Sequence, residues 1–267
     1  MKQICSLGGG QASTAMFLMS LHGDIEPKVD AAVWADTGWE PESTHFTIQF
    51  LKGYAAQFDV PVHVVRTHIG DGDVRKAMLD PNSRNGQMPM FTYNQKGEKM
   101  MLRRYCTNEF KVYPIRRLLR KEFGASFKNP VNTWLGYTVD EATRMKPAKP
   151  KYEIRRYPLI EARLYRQHCI DYLKKHGFDF VQRSACVGCP FRRNDEYRIL
   201  TESEKQELAD FEDALNEKGY QMKGGAEERV EVRLHPSMTP IVERPYESDD
   251  TQLSLFDDLC GGGSCLT

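Results

Sequence analysis

Apolar and polar positions alternate along the first half of the chain in two periods. Ile4-Cys5-Ser6, Ala31-Ala32-Val33-Trp34-Ala35 and Val62-His63-Val64-Val65 are short apolar runs of strand length. Between them lie stretches of helical period, residues 12–22 and about 43–58. Short strands interleaved with amphipathic helices predict an α/β fold, a parallel sheet with helices on both faces. The pattern continues with a helix near 112–123, a fourth strand at Val131-Asn132-Thr133-Trp134-Leu135, a helix over 164–176 and a charged surface helix over 202–218. Residues 70–99 hold Pro81, Asn82, Asn85, Gly86 and Gly97 and read as an irregular insertion or lid. From Gly224 the chain reads as extended and then polar. The expected organisation is one α/β domain over 1–200, a helical and extended C-terminal segment over 201–245, and a flexible tail over 246–267.

The first strand runs into Ser6-Leu7-Gly8-Gly9-Gly10-Gln11-Ala12-Ser13, where a helix begins. Glycines after a buried strand let the backbone turn tightly and approach a ligand closely. The N–H groups opening the helix then face an anion, and the helix dipole favours negative charge there. Hydroxyls of Ser6 and Ser13 add candidate phosphate donors. The second strand ends at Asp36-Thr37-Gly38. Ligands of parallel sheets sit beyond the carboxyl ends of the strands, so one site can use both segments.

Lys+Arg and Asp+Glu are equal at 37 each, so the overall charge points to no class of partner. Local charge is uneven. Arg103, Arg104, Lys111, Arg116, Arg117, Arg120 and Lys121 crowd one stretch, and Arg144, Lys146, Lys149, Lys151, Arg155 and Arg156 another. Such runs are solvated faces or sites for polyanions. No apolar run reaches membrane-spanning length, and no signal peptide is expected, since residues 1–4 read as the start of a core strand. The expected compartment is the cytoplasm, with no membrane partner.

Seven cysteines, an odd number in a reducing compartment, favour metal or redox chemistry over a disulfide framework. Cys186-Val187-Gly188-Cys189-Pro190 has the spacing that lets two sulfurs reach one metal centre. Zinc, an iron–sulfur cluster, a redox pair and an incidental pair all remain open at this point. Cys106 precedes a basic helix, a setting that favours thiolate. Cys5 and Cys169 lie among apolar residues and read as core. Cys260 and Cys265 flank glycines on the tail, a tether able to carry a thiol into a distant site.

Taken together these segments resemble the PAPS reductase family within the PP-loop group of nucleotide-binding, Rossmann-like enzymes. The loop from Ser6 to Ser13 looks like its phosphate loop, and Asp36-Thr37-Gly38-Trp39-Glu40 like its segment after the second strand. Arg104-Tyr105-Cys106-Thr107 with Lys111, Pro114 and Ile115 looks like its middle motif. Gly136 with Glu141 and Arg144, then Tyr157-Pro158-Leu159-Ile160, then Ser184-Ala185-Cys186-Val187-Gly188-Cys189-Pro190 follow in the family's order.

The resemblance implies an adenine nucleotide held by Ser6, Gly8, Gly9, Gly10, Gln11, Ser13, Asp36, Thr37, Gly38 and Gly136, with Lys111 and Arg144 neutralising developing charge. It also implies a [4Fe-4S] cluster on Cys106, Cys186 and Cys189, as in the similar ATP-using enzyme of DNA phosphorothioation. A single middle cysteine, where APS reductases carry two, leaves one iron open. That departure and the three-glycine loop favour ATP with Mg²⁺, pyrophosphate release and sulfur transfer to DNA or tRNA, with a cysteine desulfurase as a candidate sulfur donor. The alternative is a sulfonucleotide (PAPS or APS) reductase with Cys260 as nucleophile and thioredoxin as reductant. A third reading is a non-catalytic nucleotide-binding or clamp-associated protein, because Gln252-Leu253-Ser254-Leu255-Phe256 looks like a sliding-clamp docking peptide.

Overall fold

The two-residue period of the early strands sorts their side chains onto opposite faces of a parallel sheet. In the computed structural model, which describes residues 1–80, 88–217, 219–221 and 229–243, β1 (Gln3–Leu7), β2 (Ala31–Ala35) and β3 (Val62–Val65) are joined through α1 (Gln11–His22) and α2 (Glu42–Ala56). Cys5, Ala32 and Trp34 point into one core with Phe17 and Leu18 of α1 and Leu51 of α2. Ile4, Ala31 and Val33 point into the core on the other side. Both faces are therefore covered, as the sequence predicts.

Beyond β3 come a 3-10 turn (Ile69–Gly72), α3 (Val74–Leu79), and the antiparallel pair β4 (Phe91–Tyr93) and β5 (Lys99–Met101). The stretch expected to be irregular thus carries a short helix and a hairpin. Met78, Met88, Met90 and Phe91 are buried there, and their apolar pattern is too short to show against the surrounding Pro, Asn and Gly. A π-helical turn (Thr107–Val112) leads into α4 (Tyr113–Glu122), whose Leu119 covers the second face of the sheet.

Next come β6 (Val131–Leu135), a 3-10 turn (Val139–Arg144), β7 (Glu153–Arg156), α5 (Pro158–Glu161) and α6 (Arg166–Lys175). Leu173 of α6 packs into the α1 face of the sheet. The strand order is β3-β2-β1-β6-β7, all parallel. The direction of winding reverses between β1 and β6, and that switch point is where parallel sheets hold ligands.

The last described elements are α7 (Asn194–Arg198), α8 (Glu202–Glu217) and the short pair β8 (Tyr220–Gln221) and β9 (Arg229–Val230). The outward face of α8 is charged, as its sequence predicts. Its Leu208, Phe211 and Leu215 build a separate core with Trp39, Met78, Phe110, Val187 and Leu234. That core fixes the segment after β2, the π turn and the 186–189 turn to one another. Among the described residues, no helix is long and apolar enough to cross a membrane.

Gly53 lies exposed inside α2, and a Cβ added there meets nothing within 4 Å. Gly53→Ala is expected to stabilise the fold by about 0.5–1 kcal/mol, because glycine loses more backbone entropy in a helix. The check is thermal unfolding, with a rise in Tm of roughly 1–4 °C.

Candidate functional site

Why the chain turns as it does after β1 is visible atom by atom. Gly9 has φ +76, and a Cβ there would stand 2.7 Å from Thr44 Cγ2. The Gly8 N–H donates to Ser13 Oγ at 3.0 Å, and that hydroxyl donates to the Gly10 carbonyl at 3.1 Å. Ser13 therefore braces the loop from within. Gly10 caps α1 with no side-chain hydrogen bond, so the first-turn N–H groups are not masked by a capping side chain. Gly136, at the end of β6, lets the backbones meet: its Cβ would lie 2.7 Å from Ser13 Cα.

These glycines open onto a cavity at the switch point, taking in about 1350 Å³ with its mouth. Gly8, Gly10, Gln11, Ser13, Thr37 and Gly136 line it, and so do Lys111, Arg144, Cys106, Cys186 and Cys189. The structure thus brings most of the sequence-predicted residues to one place. Gly9 and Gly38 shape the neighbouring backbone but do not line the cavity. Ser6 lines a second, smaller cavity of about 540 Å³, which shares Gly8 and Lys111 with the first. Asp36 is buried, accepts from the Gly38 N–H at 2.8 Å and is ion-paired with Arg66. Cys260 and the segment Gln252-Leu253-Ser254-Leu255-Phe256 lie outside the described residues.

Charge at the cavity centres on a buried network that the sequence did not single out. Glu40 Oε1 pairs with Lys111 Nζ at 3.3 Å, accepts from Thr37 Oγ1 at 3.0 Å and from the Cys186 thiol at 3.3 Å. Burial works against the Lys111 charge, but the adjacent Glu40 outweighs it and holds the ammonium above its ordinary pKa. The Cys186 thiol is pushed up by burial and then by Glu40, against the opposing pull of Lys111. Glu40 thus faces both the Lys111 ammonium and the Cys186 sulfur. Burial also raises Cys189, opposed by the Arg104 charge.

Three further arginines reach the same wall. Arg104 lies over the Phe191 ring at 5.0 Å, Arg183 is paired with Glu196 at 2.6 Å, and Arg166 opens α6. Arg144 is ion-paired with Glu141 and lies 4.6 Å over the Tyr137 ring. Neither Arg166 nor Arg183 was a sequence candidate, because each belongs to a distant element that only the fold turns inward. Thr107 Oγ1 and Ser184 Oγ, both on the cavity wall, and Glu40 Oε2 are buried without a hydrogen-bond partner among the described residues.

Cys5 and Cys169 are buried in the main core, as expected, and burial pushes the Cys169 thiol up to about 12. Cys186 and Cys189 share a turn closed by a hydrogen bond from the Cys189 N–H to the Cys186 carbonyl at 3.0 Å. Among the described residues, no three His, Cys, Asp or Glu side chains converge as a single metal ion requires. Cys106, Cys186 and Cys189 all line the cavity beside cationic side chains, and thiols are the donor chemistry of an iron–sulfur cluster.

No protein-family model matches the chain, and no curated protein matches it. Among solved structures, the chain is similar to phosphoadenylyl-sulfate (PAPS) reductase from Candida auris, solved as a phosphate complex. The likeness has a TM-score of 0.43 at 14% identity and covers 68% of this chain and 75% of that one.

Proposed function

We propose that this chain is an enzyme that binds an adenine nucleotide in the switch-point cavity and carries out sulfur chemistry on an acceptor, with ATP as the nucleotide and nucleic acid as the acceptor class. The observation that carries the reading is a single one. An uncapped glycine-loop helix start, Lys111, Arg144 and three thiols line the same cavity.

The chain's own groups supply the phosphate chemistry. First-turn N–H groups of α1 and the Lys111 ammonium face the phosphates of MgATP. An acceptor oxygen attacks the α-phosphorus, the new P–O bond forming as the bond to the bridging oxygen breaks and pyrophosphate leaves. Charge grows on the departing oxygens, and Lys111 and Arg144 oppose it from the cavity wall. Glu40 keeps Lys111 protonated through the step. Tyr137 holds Arg144 from below, with Glu141 at its side. The adenylated oxygen is then a leaving group, departing as AMP when sulfur displaces it. Cys106, Cys186 and Cys189 are the residues that would hold a [4Fe-4S] group. Held by three protein thiolates, such a group supplies one iron without a protein ligand, a place for sulfur chemistry.

The test is pyrophosphate release and iron content measured on the same anaerobic preparations. Wild type supplied with nucleic acid as acceptor is expected to release pyrophosphate from ATP and to contain about four irons per chain, the composition of such a cluster. Ser13→Ala, which removes the hydroxyl bridging Gly8 and Gly10, is expected to lower turnover by about 10- to 100-fold, the scale of a misplaced reacting group. It should leave iron unchanged, whereas Cys106→Ala is expected to lose iron. Absence of pyrophosphate release from wild type sinks the ATP reading, and iron retained in Cys106→Ala sinks the ligand assignment.

A further inference from the structure

We infer that an open groove along α4 is a track for single-stranded nucleic acid leading to the nucleotide cavity. The groove takes in about 1310 Å³ and runs between α4, the turn at Gly124, Ala125 and Ser126, and the approach to β7 at Pro150 and Tyr152. Its charged lining is Arg116, Arg117, Arg120 and Lys121, with no acidic residue among the lining side chains. The four stand at i, i+1, i+4 and i+5, so 116 and 120, and 117 and 121, are like-charge neighbours on the helix surface. Arg120 and Lys121, in the last turn, suit the helix dipole. Arg116 and Arg117, in mid-helix, gain nothing from it.

The acids nearby leave the balance positive. Glu153 is buried and answered by two cations, Arg116 at 2.6 Å and Arg155 at 3.6 Å. Lys121 meets Glu122 at 3.3 Å on the surface. Arg117 contacts the His68 ring at 3.2 Å, and Arg120 makes no ion pair among the described residues.

Aromatic rings accompany this charge. Tyr113 is 51% exposed at one end of the groove, and Tyr152 lines its wall. Phe127, next to Ser126, is 75% exposed with the Lys151 ammonium 5.9 Å from its ring. Cations spaced along a channel bind a phosphodiester backbone, and exposed rings stack unpaired bases of any sequence. The pairing of the two is what separates a nucleic-acid strand from other polyanions.

The groove also adjoins the cavities of the site. Arg116 lines both the groove and the second cavity, and Gly8 and Lys111 line both the second cavity and the first. The strand's role as acceptor rests on the function proposed above, whereas the groove stands on its own geometry.

The experiment is fluorescence anisotropy with labelled oligodeoxythymidylate and oligouridylate, titrated between about 50 and 200 mM salt. Binding of either supports the proposal, and the tighter one identifies the sugar. Arg117→Gln with Arg120→Gln is expected to weaken binding about tenfold or more. It should also make the dependence of log K on log salt shallower by about 1.4, near 0.7 for each single-strand phosphate left without its arginine. Tyr113→Ala is expected to weaken the oligonucleotide by roughly 5- to 150-fold while leaving heparin binding unchanged. No binding at low salt overturns the proposal, and so does an unchanged salt slope in the arginine variant. A Tyr113→Ala effect equal on heparin and oligonucleotide reduces the groove to a general polyanion surface and overturns it too. ATP binding by calorimetry, run on every variant, reports folding and keeps a failure of the groove separate from a failure of the nucleotide site.

Discussion

Lys111→Ala is expected to weaken nucleotide binding and to destabilise the fold at once, and the two losses have different causes. The Lys111 side chain is 17% exposed and its partner Glu40 is fully buried. Truncating one member of such a pair leaves the other charge buried without compensation, which costs about 3–5 kcal/mol. Glu40 Oε2 has no hydrogen-bond partner among the described residues, and Thr37 and Cys186 alone would remain on Oε1 when the ammonium goes. The second loss is the cation itself. A hydrogen bond to a charged group contributes about 1.5–3 kcal/mol, equivalent to roughly 10- to 150-fold in the Kd for ATP. Lys111→Ala combined with Glu40→Gln separates them. Neutralising the carboxylate should return most of the lost stability, and the nucleotide affinity should stay low. Urea unfolding and calorimetry with ATP read the two quantities independently. If the double variant recovers ATP binding along with stability, Lys111 is a structural cation and the phosphate role assigned to it is wrong.

How much of this was legible beforehand depends on how each residue spends its side chain. β1, β2, β3 and β6 are short apolar runs that lie inside a covered sheet, so their burial is written directly in their composition. The turn after β1 was equally plain, since a glycine cluster between a buried strand and a helix has few structural uses. β7 was invisible because it sits at the edge of the sheet. Glu153, Arg155 and Arg156 are settled there by ion pairs, and Arg156 lies 4.7 Å over the Trp134 ring. A strand that buries charge in pairs carries no apolar pattern.

Within the site, residue type was a better guide than residue role. Ser13 and Asp36 were legible as polar groups at strand ends. Their partners turn out to be the loop itself and Arg66. Glu40 is the reverse case. Its importance comes from Lys111, which the π turn delivers from a distant part of the chain, and no local signal announces that meeting. The inward arginines were hidden for a related reason. Arg166 and Arg183 lie outside both basic runs, on elements that only the fold turns toward the cavity.

Gly188→Ala is expected to be the most damaging single methyl that can be added near the three thiols. Built on this backbone, the new Cβ would stand 2.1 Å from two ring carbons of Trp39. Contacts that close require something to shift, and Trp39 has little freedom to do so. It is 2% exposed, meets the Phe211 ring at 4.7 Å and the Arg75 guanidinium at 5.4 Å, and donates its Nε1–H to Glu207 at 3.1 Å. The backbone beside it is fixed as well, since the Val187 N–H donates to the Trp39 carbonyl at 2.8 Å. Overpacking a rigid core costs about 1–3 kcal/mol and more where neighbours cannot yield, so the upper end is expected here. For a chain of this size that is a fall in Tm of roughly 6–12 °C. Because the strain falls between Cys186 and Cys189, iron loading should fall with it, at temperatures where the variant is still folded. Trp39→Leu combined with Gly188→Ala makes room for the methyl and is expected to recover part of the loading, although Trp39→Leu alone destabilises. A Gly188→Ala protein that unfolds and loads iron like wild type would show that the turn is free to move away from Trp39, and the ring would then play no part in placing the thiols.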